Sequence, residues 1–236
     1  MSTDGHPDAG AERAAFLVSG GSGGIGAAVC DALAARGYQP VVGYHRGQAA
    51  AEAVALRTGG QALALDLGDA ASIEAAARRL EAGPRLAGVV LAGSPPLALA
   101  PFGKITAEAM QQQWQVNVMG PQMLLAELVR RCFRPHKQGV VVGVLTEAMG
   151  GGPHGIDGAA SGMGAYVIAK HGMAGLLAML QADYRWLRVR AVRPGYTETR
   201  MLEAFDERFL ANQRERAPFQ TPEQVAASIL QEALSP

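Results

Sequence analysis

Ala15-Phe16-Leu17-Val18-Ser19-Gly20-Gly21-Ser22-Gly23-Gly24-Ile25-Gly26 decides the fold. An unbroken apolar run enters a glycine cluster, and the cluster opens a segment with Ile25, Val29 and Leu33 at four-residue spacing. A run without polar alternation reads as a strand covered on both faces, and the four-residue spacing as a helix with one buried face. That helix stops at Gly37, a residue suited to the left-handed turn after a helix. Glycines between strand and helix let the backbone approach a pyrophosphate closely. The helix end then adds unpaired amides and the positive end of its dipole. A plain flexible turn is the alternative, and the strand-before, helix-after context weighs against it.

The same alternation continues along the chain. Further apolar runs lie at Val41–Tyr44, Ala62–Leu65, Val89–Ala92, Val140–Leu145 and Val189–Val192, with helix-length segments between them. One such segment starts near Thr106 and runs past Leu128, another follows Ser161 through Leu180, and a last one spans Pro222–Leu234. This is the pattern of an α/β protein with a doubly wound parallel sheet and right-handed crossovers. We expect one domain over 14–236, preceded by a disordered polar tail over 1–13. Two segments break the rhythm at carboxyl ends of strands, where such sheets bind ligands: a glycine-rich loop over 148–164 and an apolar lid over 200–218.

Bulk properties exclude several classes. The 236 residues carry 21 basic and 21 acidic side chains, so no net field draws nucleic acid or an anionic membrane. Cys30 and Cys132 are too few for a disulfide framework, and the five histidines form no ligand-spaced pair, which speaks against a metal site. With no signal-like start and no membrane-length apolar run, a cytoplasmic protein is expected.

Tyr166-Val-Ile-Ala-Lys170 places a phenol and an ammonium one helical turn apart. Such a pair is common on helices, and its weight comes from its position downstream of the glycine turn. A neighbouring ammonium favours the phenolate and makes a tyrosine usable in proton transfer near neutral pH.

Together these stretches resemble the short-chain dehydrogenase/reductase family, in the style of the 3-oxoacyl-carrier-protein reductases. The glycine motif matches Ser19 to Gly26, with serine for threonine, and the Tyr-x-x-x-Lys pair matches Tyr166 and Lys170. The helix asparagine matches Asn117, the Asp-Val after strand three matches Asp66-Leu67, and the Pro-Gly stretch matches Pro194 to Thr199. The resemblance runs from about Ala14 to Ser228 and implies a Rossmann-like sheet of about six strands in the order 3-2-1-4-5-6.

The resemblance also implies a site. Tyr166 would exchange a proton with the substrate oxygen, Lys170 would lower the phenol's pKa and bond the nicotinamide ribose, and Asn117 would sit at a helix irregularity and hold a water linking Lys170 to solvent. Thr146 stands where the family has a substrate-binding serine: it keeps the hydroxyl but adds a methyl. Ser161 is a possible substitute only if its loop folds inwards. Ser19, Gly20, Ser22, Gly24, Ile25 and Gly26, with Asp66, Leu67, Ala92 and Gly93, and with Pro194, Thr197 and Thr199, are the expected cofactor contacts beside Tyr166 and Lys170.

The second strand ends Gly43-Tyr44-His45-Arg46. Tyr44 holds the place of the carboxylate that reads an NAD ribose, and Arg46 suits an added phosphate, so NADP(H) is expected in preference to NAD(H). A solvated loop arginine is the plainer reading of Arg46. The family's Asn-Asn-Ala-Gly is Val90-Leu91-Ala92-Gly93 here, and no seventh strand is visible. A homodimer through the helices near 106–130 and 165–183 is therefore expected.

Arg214 and Arg216 could meet an anionic substrate end, although arginines that simply face solvent are commoner. The expected activity is reduction of a mid-sized carbonyl compound, an acyl group tethered to a carrier among the candidates. Oxidation of a cyclic or sugar-like alcohol, and a non-catalytic nucleotide-binding role, are the alternatives.

Overall fold

Valine and leucine fill the strands because helices cover the sheet on both sides. The computed structural model describes residues 13–151 and 157–235, so most of the expected tail and His154 of the glycine-rich loop lie outside the described residues. Six parallel strands, β1 (Ala15–Ser19), β2 (Gln39–Tyr44), β3 (Gln61–Ala64), β4 (Leu86–Leu91), β5 (Val140–Val144) and β6 (Arg188–Val192), form one sheet in the order β3-β2-β1-β4-β5-β6. Successive side chains point to opposite faces. Leu17, Val89 and Val141 therefore join one core layer, while Val18, Val42, Val90 and Val142 join the other.

The second layer packs under α1 (Gly24–Ala35), α2 (Gln48–Thr58) and α8 (Pro222–Leu234). The first packs under α3 (Ala70–Glu81), α5 (Gly120–Leu128) and α6 (Gly164–Asp183). Gly37 takes φ +82° just after α1, the left-handed conformation its sequence position suggests. Strand β6 is one of the two sheet edges and is half-buried. Its Arg188 bonds the Ala233 and Ser235 carbonyls and Arg190 faces Glu232 at 3.8 Å, so charged side chains guard the open edge.

The long helix expected from Thr106 onward is divided. Thr106 caps α4 (Ala107–Trp114) by accepting from the Ala109 amide at 3.2 Å. A π-helical turn over Gln115–Met119 then separates α4 from α5, and a second covers Val129–Phe133. Periodicity alone does not disclose such a turn, since it inserts less than one residue of extra twist. Beyond β6, the lid comprises a short 3-10 turn at Arg200–Ala204 and α7 (Glu207–Arg216). Thr221 and Gln224 form a reciprocal capping box that starts α8.

Candidate active site

The turn after β1 is built by contact as much as by flexibility. Gly20 has φ +67°, and a Cβ there would sit 2.7 Å from the Cα of Gly93 at the end of β4. A Cβ at Gly26 would run into the Gly20 carbonyl oxygen. No side chain caps α1 at Gly23, so its first amides stay open to an anion. This shallow, bare cradle fits a dinucleotide pyrophosphate. Ser22, beside Gly47, and Ile25, behind the turn, are both half-buried.

Ser19 has a different task. It is buried and its Oγ accepts from the Gly93 amide at 3.2 Å, stapling the ends of β1 and β4 together. Ala92 and Gly93 thus line the floor of the turn. On its far side the Thr199 methyl lies 2.7 Å from where a Gly24 Cβ would be. Thr197 is buried and donates to the Gly195 carbonyl at 3.1 Å, Thr199 donates to Thr197, and the Pro194 carbonyl accepts from the Glu147 amide. The stretch after β6 therefore arches over α1 towards β5.

At the next strand ends, Tyr44 is half-buried opposite Ala64, and Arg46 is exposed with no ion pair among the described residues. His45 Nε2 lies 3.2 Å from Asp66 Oδ2, and Asp66 Oδ1 accepts from the Gly68 amide at 2.8 Å. Leu67 is buried, and its carbonyl is met by Gln115 Nε2 at 3.4 Å and by the close backbone of Gly120. Sequence reading missed His45; its signal was an imidazole one residue beyond β2, beside a strand that ends in a carboxylate.

Thr146 leaves β5 at its carboxyl end. Its hydroxyl accepts from the Ala148 amide at 3.2 Å, and it lies near enough to the Tyr166 phenol on α6 to draw the phenol's pKa down. Helix α6 can approach β5 so closely because Gly143 leaves room for Leu177. Lys170, one turn after Tyr166, is buried; its Nζ donates to the Val144 carbonyl at 2.7 Å and lies 5.6 Å from the Tyr166 ring centre.

Here the expectation for the phenol needs correction. Burial raises the Tyr166 pKa, opposed only in part by Thr146, and no lowering by Lys170 accompanies it. The ammonium points at a strand carbonyl and a ring face, and complete burial brings its own pKa down to about 7.

Asn117 sits in the π-helical turn, 1% exposed. Its Nδ2 donates to the Gln113 carbonyl at 3.1 Å and to Gln113 Oε1 at 2.9 Å. Its Oδ1 has no partner among the described residues. Gln113, equally buried, donates through Nε2 to the Pro96 carbonyl at 2.9 Å. Sequence reading missed Gln113 as well, although a glutamine four residues before Asn117 shares its helix face.

Other expected contributors stand apart. Ser161 is exposed and lines an outer groove with Phe102 and Ile168. Arg214 bonds Glu198 at 3.1 Å and covers the Phe219 ring at 4.6 Å, so it clips the lid together instead of waiting for an anion. Arg216 is exposed. Tyr196 gathers Phe205, Phe209 and Phe219 around itself, and Tyr196 and Phe205 pack against the cluster that holds Tyr166. Among the described residues no three His, Cys, Asp or Glu side chains could hold a metal, and no helix is long and apolar enough to cross a membrane.

The family model for short chain dehydrogenases matches residues 14–208. The chain belongs to the short-chain dehydrogenase/reductase family. Members of this family are NAD(P)-dependent oxidoreductases, and so is this chain. It is 30% identical over 193 residues to the 2,5-dichloro-2,5-cyclohexadiene-1,4-diol dehydrogenase of Sphingobium indicum, covering 80% of this chain and 74% of that one. To the 3-oxoacyl-[acyl-carrier-protein] reductase FabG of Escherichia coli it is 26% identical over 200 residues, covering 81% and 76%. A crystal structure of ribose-5-phosphate isomerase from Brucella melitensis superposes with a TM-score of 0.82 at 24% identity, covering 93% of this chain and 84% of that one. That last likeness is one of fold. Within the short-chain dehydrogenase/reductase fold, the glycine turn and the Tyr166 cluster occupy the same carboxyl edge of the sheet.

Proposed function

We propose that this enzyme reduces a ketone to a secondary alcohol with NADP(H). The observation that carries the reading is the burial of Tyr166, Thr146 and Lys170 together, with Thr146 beside the phenol and Lys170 one turn behind it. A bound nicotinamide supplies the hydride to the carbonyl carbon. Tyr166 gives its hydroxyl proton to the carbonyl oxygen, and Thr146 orients that oxygen by donating to it. Burial keeps the phenol protonated, the state a proton donor needs, and so supports the reductive direction. Lys170, with a pKa of about 7, returns a proton to the phenolate side of the pocket. The buried acceptor of Asn117 gives that relay a route onward.

Ser22, Gly24, Ile25 and Gly26 hold the pyrophosphate, with Gly20 shaping the turn; Thr197 and Thr199 close over it from the lid side. Arg46 is the cation for the 2′-phosphate, because the position of an NAD-reading carboxylate is taken by Tyr44. Asp66 and the Leu67 backbone flank the adenine. Tyr196 and Phe205 give the substrate side an apolar, aromatic wall. With Arg214 occupied by Glu198, a mid-sized neutral ketone suits it better than a carrier-bound anion. The curated relative acting on a chlorinated cyclohexadiene diol makes ring compounds the first substrates to try.

The test is a pair of fluorescence titrations with NADPH and NADH, followed by assays of cyclic and open-chain ketones with wild type and Tyr166→Phe. We expect tighter NADPH binding and a loss of turnover in Tyr166→Phe on the order of a hundredfold or more. Tighter NADH binding would rule out Arg46 as a phosphate ligand. NADPH binding without turnover of any ketone would leave only a nucleotide-binding protein.

A further inference from the structure

Two buried amides in series, Gln113 and Asn117, have an orientation dictated by what lies at each end. Backbone carbonyls only accept hydrogen bonds. The atom of Gln113 that faces the Pro96 carbonyl at 2.9 Å must therefore be its NH2 group, which turns its oxygen towards Asn117. The Asn117 atom that meets both that oxygen and the Gln113 backbone carbonyl must likewise be the NH2 group. The free end is then Oδ1, a buried acceptor on a π-helical turn packed against α6. Without the glutamine side chain, one of the two contacts that fix the amide would be lost.

We infer that Gln113 is a positioning residue: it relays the polarity of the Pro96 carbonyl through its amide and holds Asn117 with its oxygen turned to the donors of the Tyr166–Lys170 site. An unpaired buried acceptor is costly, and a donor arriving with the working site repays that cost. Gln113 touches neither the substrate nor the cofactor. It acts through Asn117 alone, and it also ties the loop after β4 to the turn that carries Asn117. This inference rests on the reading of Asn117 as part of the proton relay.

The experiment compares wild type, Gln113→Leu, Asn117→Ala and the double variant. It measures ketone turnover from pH 6 to 9 and NADPH affinity by fluorescence titration. In Gln113→Leu we expect kcat to fall on the order of tenfold, a coupling typical of contacting residues. KM and NADPH affinity should hold, and the pH profile should move with that of Asn117→Ala. The double variant should be no slower than Asn117→Ala, because both changes break one link. Gln113→Glu, whose protonated carboxyl can donate to Pro96 and accept from Asn117, should restore most of kcat. Wild-type kcat in Gln113→Leu, or losses that multiply in the double variant, would overturn the inference. So would far-UV circular dichroism showing that both Gln113 variants fail to fold. Wild-type turnover in Asn117→Ala would instead remove the relay role of Asn117 on which it rests.

Discussion

Lys170 concentrates the tension of this molecule in one side chain. Its ammonium is buried, served by a single carbonyl, and held down to a pKa of about 7 from an ordinary 10.5. The unfolded chain keeps its proton up to about pH 10.5, whereas the folded protein gives it up near pH 7. Between those values the unfolded state binds more protons, so stability rises with pH. Below about pH 7 both states are charged and the folded one bears the full desolvation cost. We therefore expect wild type to gain stability in urea between pH 7 and 9, and Lys170→Met to lack that gain while losing activity. An equal slope in both proteins would show that the ammonium is better solvated than its surroundings suggest. Thr146 permits a second test. Thr146→Ser keeps the hydroxyl and should turn over within a few-fold of wild type, whereas Thr146→Val should lose on the order of a hundredfold in kcat, because the hydroxyl beside Tyr166 that orients the substrate oxygen disappears. These residues could be placed from the sequence by spacing and resemblance. What could not be read was the direction in which Lys170 points, since that depends on the depth of the pocket and not on the four residues separating it from Tyr166.

The strand–turn–helix unit around Gly20 shows how an element acquires chemistry from backbone alone. Its glycines were legible because a cluster between an apolar run and an amphipathic helix seldom forms anything but a tight, ligand-facing turn. The staple from Ser19 to Gly93 was not, since a serine in that motif reads as a cofactor contact until the neighbouring strand is seen. Gly26→Ala would force the Gly20 carbonyl aside and reshape the turn. We expect NADPH affinity to fall at least tenfold, measured by titration, with the far-UV spectrum retained. Undiminished affinity would mean that the turn is not the pyrophosphate cradle. The lid obeys the opposite logic, since side chains hold it. Arg214 joins Glu198 to Phe219, and Tyr196 stacks on Phe219 with ring centres 5.2 Å apart. Sequence reading recognised the apolar lid but offered its arginine only solvent or a ligand, because partners 16 residues apart on an irregular segment leave no periodic trace. The irregularity at Asn117 was expected from the resemblance alone, because a π-helical turn changes the twist without interrupting the apolar pattern.

At the scale of the whole molecule, the alternation of runs and helices pointed to a doubly wound parallel sheet, the family resemblance supplied its strand order, and the sheet follows that order from edge to edge. The strand over Val189–Val192 is an edge as the order requires, half-buried between α6 and α8 and with arginines along it. That edge is poorly suited to pairing with another chain, which turns attention to the helices α4 to α6. Trp114 on α4, Met119 in the adjoining turn and Met179 on α6 are 38%, 47% and 61% exposed, although the segments that carry them pack against one another. Large apolar side chains grouped in this way mark an interface more often than a free surface. Trp114 also lies close over Gly172, which joins α4 to α6 within this surface. A homodimer through α4, α5 and α6 is the assembly we propose, with about 800 Å² buried per subunit as the usual size of a stable interface. Met179→Glu would place a charge within that contact without touching the Tyr166 site. Light scattering should then report a monomer where wild type is a dimer, with the sheet intact by circular dichroism. A wild-type monomer at micromolar concentration, or a dimer that survives Met179→Glu together with Trp114→Glu, would place the interface elsewhere.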